Sequence, residues 1–296
     1  MAQRDAAACP ACCGSSVVAR CACGYRYLRC AECGLQFLDE VLGRSQALQL
    51  YSDDYFFGGG AGYPNYLCEA GILIDRGRRY AHIAERYAAA GRMLDVGSAA
   101  GFTLRAFADE GWSGMGIEPN RTMAAYAKDV LKVEIVVGSL EEFHTHEMFD
   151  LVTMLQVLEH VFDLDAALRS AAEATKPGGL WLIEELDGAS PMARLFGSLW
   201  HGYSPPSVQR IFSPAALGHL AKRHGFERVA AGRPMRWVSW AHATSLLSYK
   251  ASKGWMNALV GIAARLLPDE LTLPYPGWDL QWALYRKVRS TSSARR

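Results

Sequence analysis

The chain has 296 residues, half of them hydrophobic, and carries 31 basic against 30 acidic side chains for a formal charge of +1. That is enough apolar material for one sizeable core or two modest domains, and the near-neutral balance lacks the basic excess of a nucleic-acid binder. No apolar run approaches the roughly 20 residues of a spanning helix, and the opening Met1-Ala2-Gln3-Arg4-Asp5 has no signal-peptide core, so the cytoplasm is the expected compartment.

In chain order, the first feature is a cysteine cluster. Cys9-x-x-Cys12 and Cys30-x-x-Cys33-Gly34 are two knuckles separated by 17 residues, the ligand spacing of a zinc ribbon. Without an export signal these thiols read as metal ligands, not disulfides. Cys9, Cys12, Cys30 and Cys33 are the expected structural zinc set. Cys13 competes for the first knuckle, Cys21-x-Cys23-Gly24 offers another pair, and Tyr25–Cys30 reads as the strand entering the second knuckle. The ribbon spans residues 1–38. Residues 39–90 form a connection: an irregular, tyrosine-rich segment through residue 65, suited to a lid, and then a helix from Tyr66 to Ala90 ended by Gly91. Cys68 falls in that helical pattern as a core residue.

The next stretch carries the most information. Met93-Leu94-Asp95-Val96 is an apolar strand that delivers an acid into the turn Gly97-Ser98-Ala99-Ala100-Gly101, and a helix starts at Phe102. A second apolar stub ends in Glu118-Pro119, 23 residues beyond Asp95. This is the wiring of a nucleotide-binding β-α-β unit, with an acid at the second strand's tip to accept from ribose hydroxyls. The turn does not fit G-x-G-x-x-G, and a carboxylate precedes its first glycine. Both features suit a cofactor with positive charge, such as S-adenosylmethionine, better than a pyrophosphate. Further on, Gly111 closes a helix and Asn120 caps one running to Leu131. Val133 to Val137 reads as a buried strand, Asp163 to Thr175 as helix and Leu180 to Glu184 as strand. Ser213-Pro214 opens a helix closed by Gly225, Phe226 to Ala230 is a strand, and Trp278 to Val288 is the last, antiparallel one. Seven of eight tryptophans lie beyond residue 180, suited either to an acceptor pocket or to core packing. Trp255 to Leu267 is an amphipathic helix, and Ser290 to Arg296 a frayed tail.

These motifs together resemble the class I (Rossmann-like) S-adenosylmethionine-dependent methyltransferases. Phe149 to Val161, ending Glu159-His160-Val161, is similar to the family's fourth strand, and Lys176-Pro177-Gly178-Gly179 to the turn before its fifth. Ala99 stands where many members carry glycine. The resemblance, with the ribbon, is to a bacterial group acting on sugars, lipids or secondary metabolites. It implies an α/β fold: a seven-stranded sheet with helices on both faces plus the ribbon, with residues 91–190 as the cofactor-binding core and 191–296 completing the sheet and acceptor pocket.

The expected activity is methyl transfer from S-adenosylmethionine to a small-molecule acceptor at oxygen or carbon, with no nucleic-acid partner. The alternatives are an RNA or protein methyltransferase that uses the ribbon as reader, and an inactive binding module. The expected cofactor contacts are Asp95, Gly97, Ser98, Gly101 and Phe102 for the methionine part, Glu118 and Pro119 for the ribose, and Ser139 and Leu140 for the adenine, with Gln156 near the methyl group. His160, Glu185 and His201 are the catalytic candidates, with Tyr203 a further one. The loop Trp200 to Pro214 resembles an acceptor-side loop of this group, but Val208 occupies the place of its histidine.

Overall fold

The computed structural model describes residues 7–59, 62–251, 267–269, 271–275 and 278–289. At the N-terminal end, β1 (Ser16–Ala22) and β2 (Tyr25–Cys30) form a hairpin whose turn uses Gly24 at φ +84°, a left-handed conformation that costs glycine little. β3 (Gln36–Leu38) pairs with β2 and, on its other edge, with Arg210–Ile211, which is β9 in chain order. The ribbon therefore borrows its last strand from the far side of the chain. Cys9, Leu28, Cys30, Cys33, Leu35 and Phe37 share one apolar core with Phe212 and Leu217. The described part of the ribbon, residues 7–38, is thus packed into the body of the protein.

The connection is more regular than expected. Residues 39–65 contain α1 (Arg44–Leu50) and α2 (Asp53–Phe57). Ser52 precedes α2, and Asp53 and Asp54 lie in its first turn, where carboxylates complement the helix dipole. After one 3-10 turn at Tyr66–Glu69, α3 (Ala70–Glu85) stops short of the expected Ala90, because the Arg86, Tyr87 and Ala88 amides turn back onto the carbonyls of Ile83 and Ala84. Cys68 is exposed, not core.

The central sheet has the order β10-β13-β8-β7-β4-β5-β6. Its strands are β4 (Arg92–Val96), β5 (Ser113–Glu118), β6 (Glu134–Val137), β7 (Phe149–Leu155), β8 (Thr175–Leu186), β10 (Phe226–Gly232) and β13 (Leu280–Lys287). β4 to β8 run parallel, and β13 inserts antiparallel between β8 and β10. Alternation along β4 feeds both faces. Met93 joins Tyr80, Leu104 and Phe107 of α3 and α4 (Phe102–Asp109), while Leu94 and Val96 join the opposite layer of α6 (Leu164–Ala174) and α8 (Pro214–Arg223). Burial on both faces is why the strand reads as an apolar run. Asn120 and Ser213 cap α5 (Arg121–Tyr126) and α8 as expected, and Asp163, expected as the first residue of its helix, caps α6, each accepting from the amide three residues on. A π turn (Ala127–Leu131) extends α5 to the expected end at Leu131. The Val133–Val137 run is not buried: β6 is the sheet's edge, and Val136 and Val137 are 38% and 44% exposed.

α7 (Pro191–Phe196) follows β8, and a further insertion of β11 (Arg236–Ser239), α9 (Trp240–Ala251) and β12 (Thr272–Tyr275) separates β10 from β13. The amphipathic helix expected from Trp255 lies, through residue 266, outside the described residues, as does the tail at 290–296. Among the described residues no helix is long and apolar enough to cross a membrane. Trp181, on β8, is fully buried, stacks on Phe226 at 3.6 Å and donates from Nε1 to Thr175. Trp181→Ala is expected to lower unfolding stability by about 3–5 kcal/mol, with Trp181→Phe costing far less. Urea denaturation of both variants checks this, and equal losses would refute the packing account.

Candidate active site

The carboxyl ends of β4, β5 and β7 open into one cavity, where ligands of open α/β sheets bind. Gly97, Ala99 and Gly101 adopt φ of +64°, +46° and +80°, which lifts the chain over the strand ends and starts α4. A Cβ at Gly97 would meet the Val157 side chain at 2.8 Å. Asp95 is 3% exposed and accepts from the Thr153 hydroxyl at 2.5 Å. Glu118, also 3% exposed, accepts from the Ala99 and Asn120 amides, both at 2.8 Å. Burial raises both acids, Asp95 to about 6 and Glu118 to about 7, against the opposing pull of those hydrogen bonds. Desolvated carboxylates at a cavity wall suit a cationic, hydroxyl-bearing ligand.

Asp95, Gly97, Ser98, Glu118, Pro119, Ser139, Leu140, Gln156 and His160 all line this cavity. Gly101 and Phe102 do not. Gly101 sits against Ala127 and Val133, and Phe102 stacks on Tyr66, so both support the turn from behind. Glu185 is fully buried beneath the turn after β7, where its Oε1 accepts from the Val157 and Leu158 amides. His201 lies beside Asp279, 3.4 Å away, and is not part of the cavity wall. Tyr203 is buried, donating to Gln36 of the ribbon, and Val208 takes a hydrogen bond from Tyr27 on its carbonyl. The 200–214 loop therefore docks against the ribbon.

The sequence reading missed several lining residues. The aromatic wall is Tyr51, Tyr55, Phe56, Tyr63, Tyr66 and Phe162, and none of the described tryptophans belongs to it. The tyrosine-rich composition of 39–65 pointed to an irregular connection or lid but not to its contacts. Asn120 holds that lid down, donating from its side chain to the Tyr51 carbonyl and to Asp53, while Arg44 pairs with Glu142. Arg76 of α3 reaches the cavity and pairs with Glu184 at 3.3 Å; on a helix that also carries Arg78 and Arg79, its type gave no signal. Buried polar atoms around the cavity lack protein partners: Tyr51 Oη, Arg76 Nε, Ser139 Oγ and Glu159 Oε2. Such groups are costly unless a ligand or water meets them.

In the ribbon, the Sγ atoms of Cys9, Cys12, Cys30 and Cys33 lie within 4.8 Å of one another, with Cys9–Cys33 at 3.5 Å and Cys12–Cys30 at 3.4 Å. A tetrahedral thiolate set at the usual Zn–S length of about 2.3 Å has edges of about 3.8 Å, so the donors fit such an ion. Cys13, Cys21 and Cys23 are exposed and outside this group.

Gly116 on β5 is a further constraint, since a Cβ there would lie 2.1 Å from Ser98 Oγ. Gly116→Ala is expected to push the turn outward and weaken binding of adenosylhomocysteine about tenfold or more, roughly 1.4 kcal/mol, without touching the ligand. Titration calorimetry reads this, and unchanged affinity would show the turn to be insensitive.

A family model described as a methyltransferase domain matches residues 72–231, more than half of the chain. The ubiquinone biosynthesis O-methyltransferase of Rhodopseudomonas palustris (strain BisB18) is 35% identical over 101 residues, covering 32% of this chain and 40% of that protein. The enzyme of the same name from Bordetella avium is 29% identical over 150 residues, 46% of this chain and 62% of that one. The match thus spans less than two thirds of these relatives. Among solved structures, the YcgJ protein of Bacillus subtilis superposes with a TM-score of 0.53 at 15% identity, over 73% of this chain and 99% of that one. A SAM-dependent methyltransferase from Archaeoglobus fulgidus gives 0.50 at 18%, over 74% and 94%. The matched family model, the strand order and the paired acids at the ends of β4 and β5 agree, and the chain belongs to the class I S-adenosylmethionine-dependent methyltransferases.

Proposed function

We propose that this protein transfers a methyl group from S-adenosylmethionine to a small-molecule acceptor, a sugar, lipid or secondary metabolite, at oxygen or carbon. The observation that carries the reading is the placement of buried Asp95 and Glu118 on neighbouring strand ends, facing one cavity under a tyrosine lid. The chain's similarity to ubiquinone biosynthesis O-methyltransferases favours oxygen. S-adenosylmethionine, when bound, supplies an electrophilic methyl on a sulfonium whose thioether leaves neutral, so alignment is the protein's main task. Asp95 would take the ammonium, Arg76 the carboxylate, Glu118 the ribose hydroxyls, and Ser139 and Leu140 the adenine edge. Tyr51, Tyr55 and Phe56, held down through Asn120, exclude water from the reacting end.

Acidification should weaken cofactor binding. Protonation of Glu118 near 7 and of Asp95 near 6 removes the charges that the ligand uses, so affinity should fall on the order of 10–100-fold between about pH 8 and about pH 5.5. The sign for the ligand-free fold is opposite. Both folded values lie above the ordinary 4.5 and 3.8, so the stability these groups contribute is present below those values and lost as pH rises through about 7 and about 6. Calorimetry of adenosylhomocysteine should show Glu118→Ala losing about 1.5–3 kcal/mol at high pH and a flattened pH dependence. Absence of binding heat in wild type and variant alike would reject the reading.

We further propose that Cys9, Cys12, Cys30 and Cys33 hold a structural zinc ion, which would crosslink the ribbon and take no part in transfer. The purified protein should contain one zinc per chain. Chelation should lower its melting temperature and expose the thiols, because a site absent from the unfolded chain contributes its binding energy to folding. Metal analysis showing none, with no change on chelation, would reject the assignment.

A further inference from the structure

Glu159, His160 and Glu185 meet on the β7–β8 side of the cavity, across β4 from Glu118. His160 Nδ1 lies 2.8 Å from the Ser207 carbonyl oxygen, and its Nε2 lies 3.2 Å from Glu159 Oε1. A carbonyl only accepts, so Nδ1 carries a proton. Glu185 Oε1 accepts from the Val157 and Leu158 amides at 3.2 and 2.8 Å. The other two oxygens, Glu159 Oε2 and Glu185 Oε2, are buried and meet no protein donor, and the Glu159 charge opposes ionisation of Glu185. Two facing carboxylates in a dry wall cannot both stay ionised, and one shared proton satisfies both orphaned oxygens.

We propose that Glu185, Glu159 and His160 form a charge-neutral proton-sharing triple that fixes His160 as a buried imidazolium, a positioning charge at the cavity wall and not the proton acceptor. Glu185 holds the shared proton, Glu159 is the anion, and His160 donates from both ring nitrogens. The remaining groups facing the ring permit this: Tyr51 presents a neutral ring edge-on at 5.3 Å from the lid, and the Ser207 carbonyl faces it from the docking loop. Further out, Glu118 and Glu141 add negative potential around Tyr51. The electrostatic directions agree. Burial and the Glu159 charge push Glu185 well up, His160 holds Glu159 down against burial, and Glu159 raises His160 against burial.

With both nitrogens committed, His160 has no lone pair for an acceptor's proton. Among the oxygen acceptors proposed above, the site then suits an acidic hydroxyl that needs no base from it because it is already ionised beside a positive charge. This consequence rests on the methyl-transfer reading, but the protonation state does not, so the two fail separately.

The test is a pH titration of the full chain labelled with nitrogen-15 histidine, with His160→Gln assigning the signal. Both ring nitrogens of His160 should remain protonated to about pH 8, well above an ordinary histidine. Glu185→Gln should leave this unchanged, because its amide can donate to Glu159 where the shared proton stood. Glu159→Gln should strip the proton from Nε2 by about pH 7. A wild-type ring already neutral at about pH 7 overturns the proposal, as does an unchanged titration in Glu159→Gln. If that variant fails to fold, the wild-type and Glu185→Gln titrations decide alone.

Discussion

The hydrogen bond from the Ala99 amide to the Glu118 carboxylate joins two strand ends that must act as one binding surface. Ala99 reaches it only by holding φ at +46°, a conformation that costs a residue with a Cβ roughly 1–2 kcal/mol. That strain is tolerated because the rest of the turn is fixed. Ser98 donates to the Asp95 carbonyl, the Ser98 amide donates to Ile117, and Gly116 leaves room beneath Ser98. The cavity is therefore rigid on its strand side. Its other side is the tyrosine-rich segment, which is held to the strand ends through side-chain contacts from Asn120 and Arg44.

Gln209 plays the corresponding part on the other side of the site. It is fully buried, its backbone bonds to Leu38 of the ribbon and to Glu159, and its side chain accepts from Leu42 and donates to the His160 carbonyl. Ribbon, lid linker and the turn after β7 thus meet at one amide side chain. Bound metal would make the ribbon a stiff brace for the cavity wall, in keeping with the core it shares with α8.

What was legible in the sequence was local. Asp95, the glycine turn and Glu118 lie within one β-α-β unit, where spacing and residue type fix the geometry together, and the capping residues Asn120 and Ser213 act within one helical turn. Contacts between distant segments carried no such signature. Tyr51 and Arg76 line the cavity because the junction between α1 and α2, and α3, fold across the strand ends, and nothing in their types separates them from surface residues. The β-branched run before residue 138 marked a strand correctly but could not show that the sheet ends there. His201 and Glu185 were chemically suitable, yet one is held at the buried Asp279 and the other is spent on backbone amides.

The borrowed strand β9 also sets the order in which the molecule can be completed. The cysteine knuckles emerge from the ribosome ahead of the central sheet, yet the pairing that closes their own sheet and the helix that covers their core are encoded beyond residue 209. During synthesis, about 170 residues separate β3 from β9, and closing a loop of that length costs entropy until the central sheet brings its ends together. Early capture of an ion by the thiols would hold the N-terminal segment compact through that interval, so metal supply would govern the yield of native chains as well as their final stability.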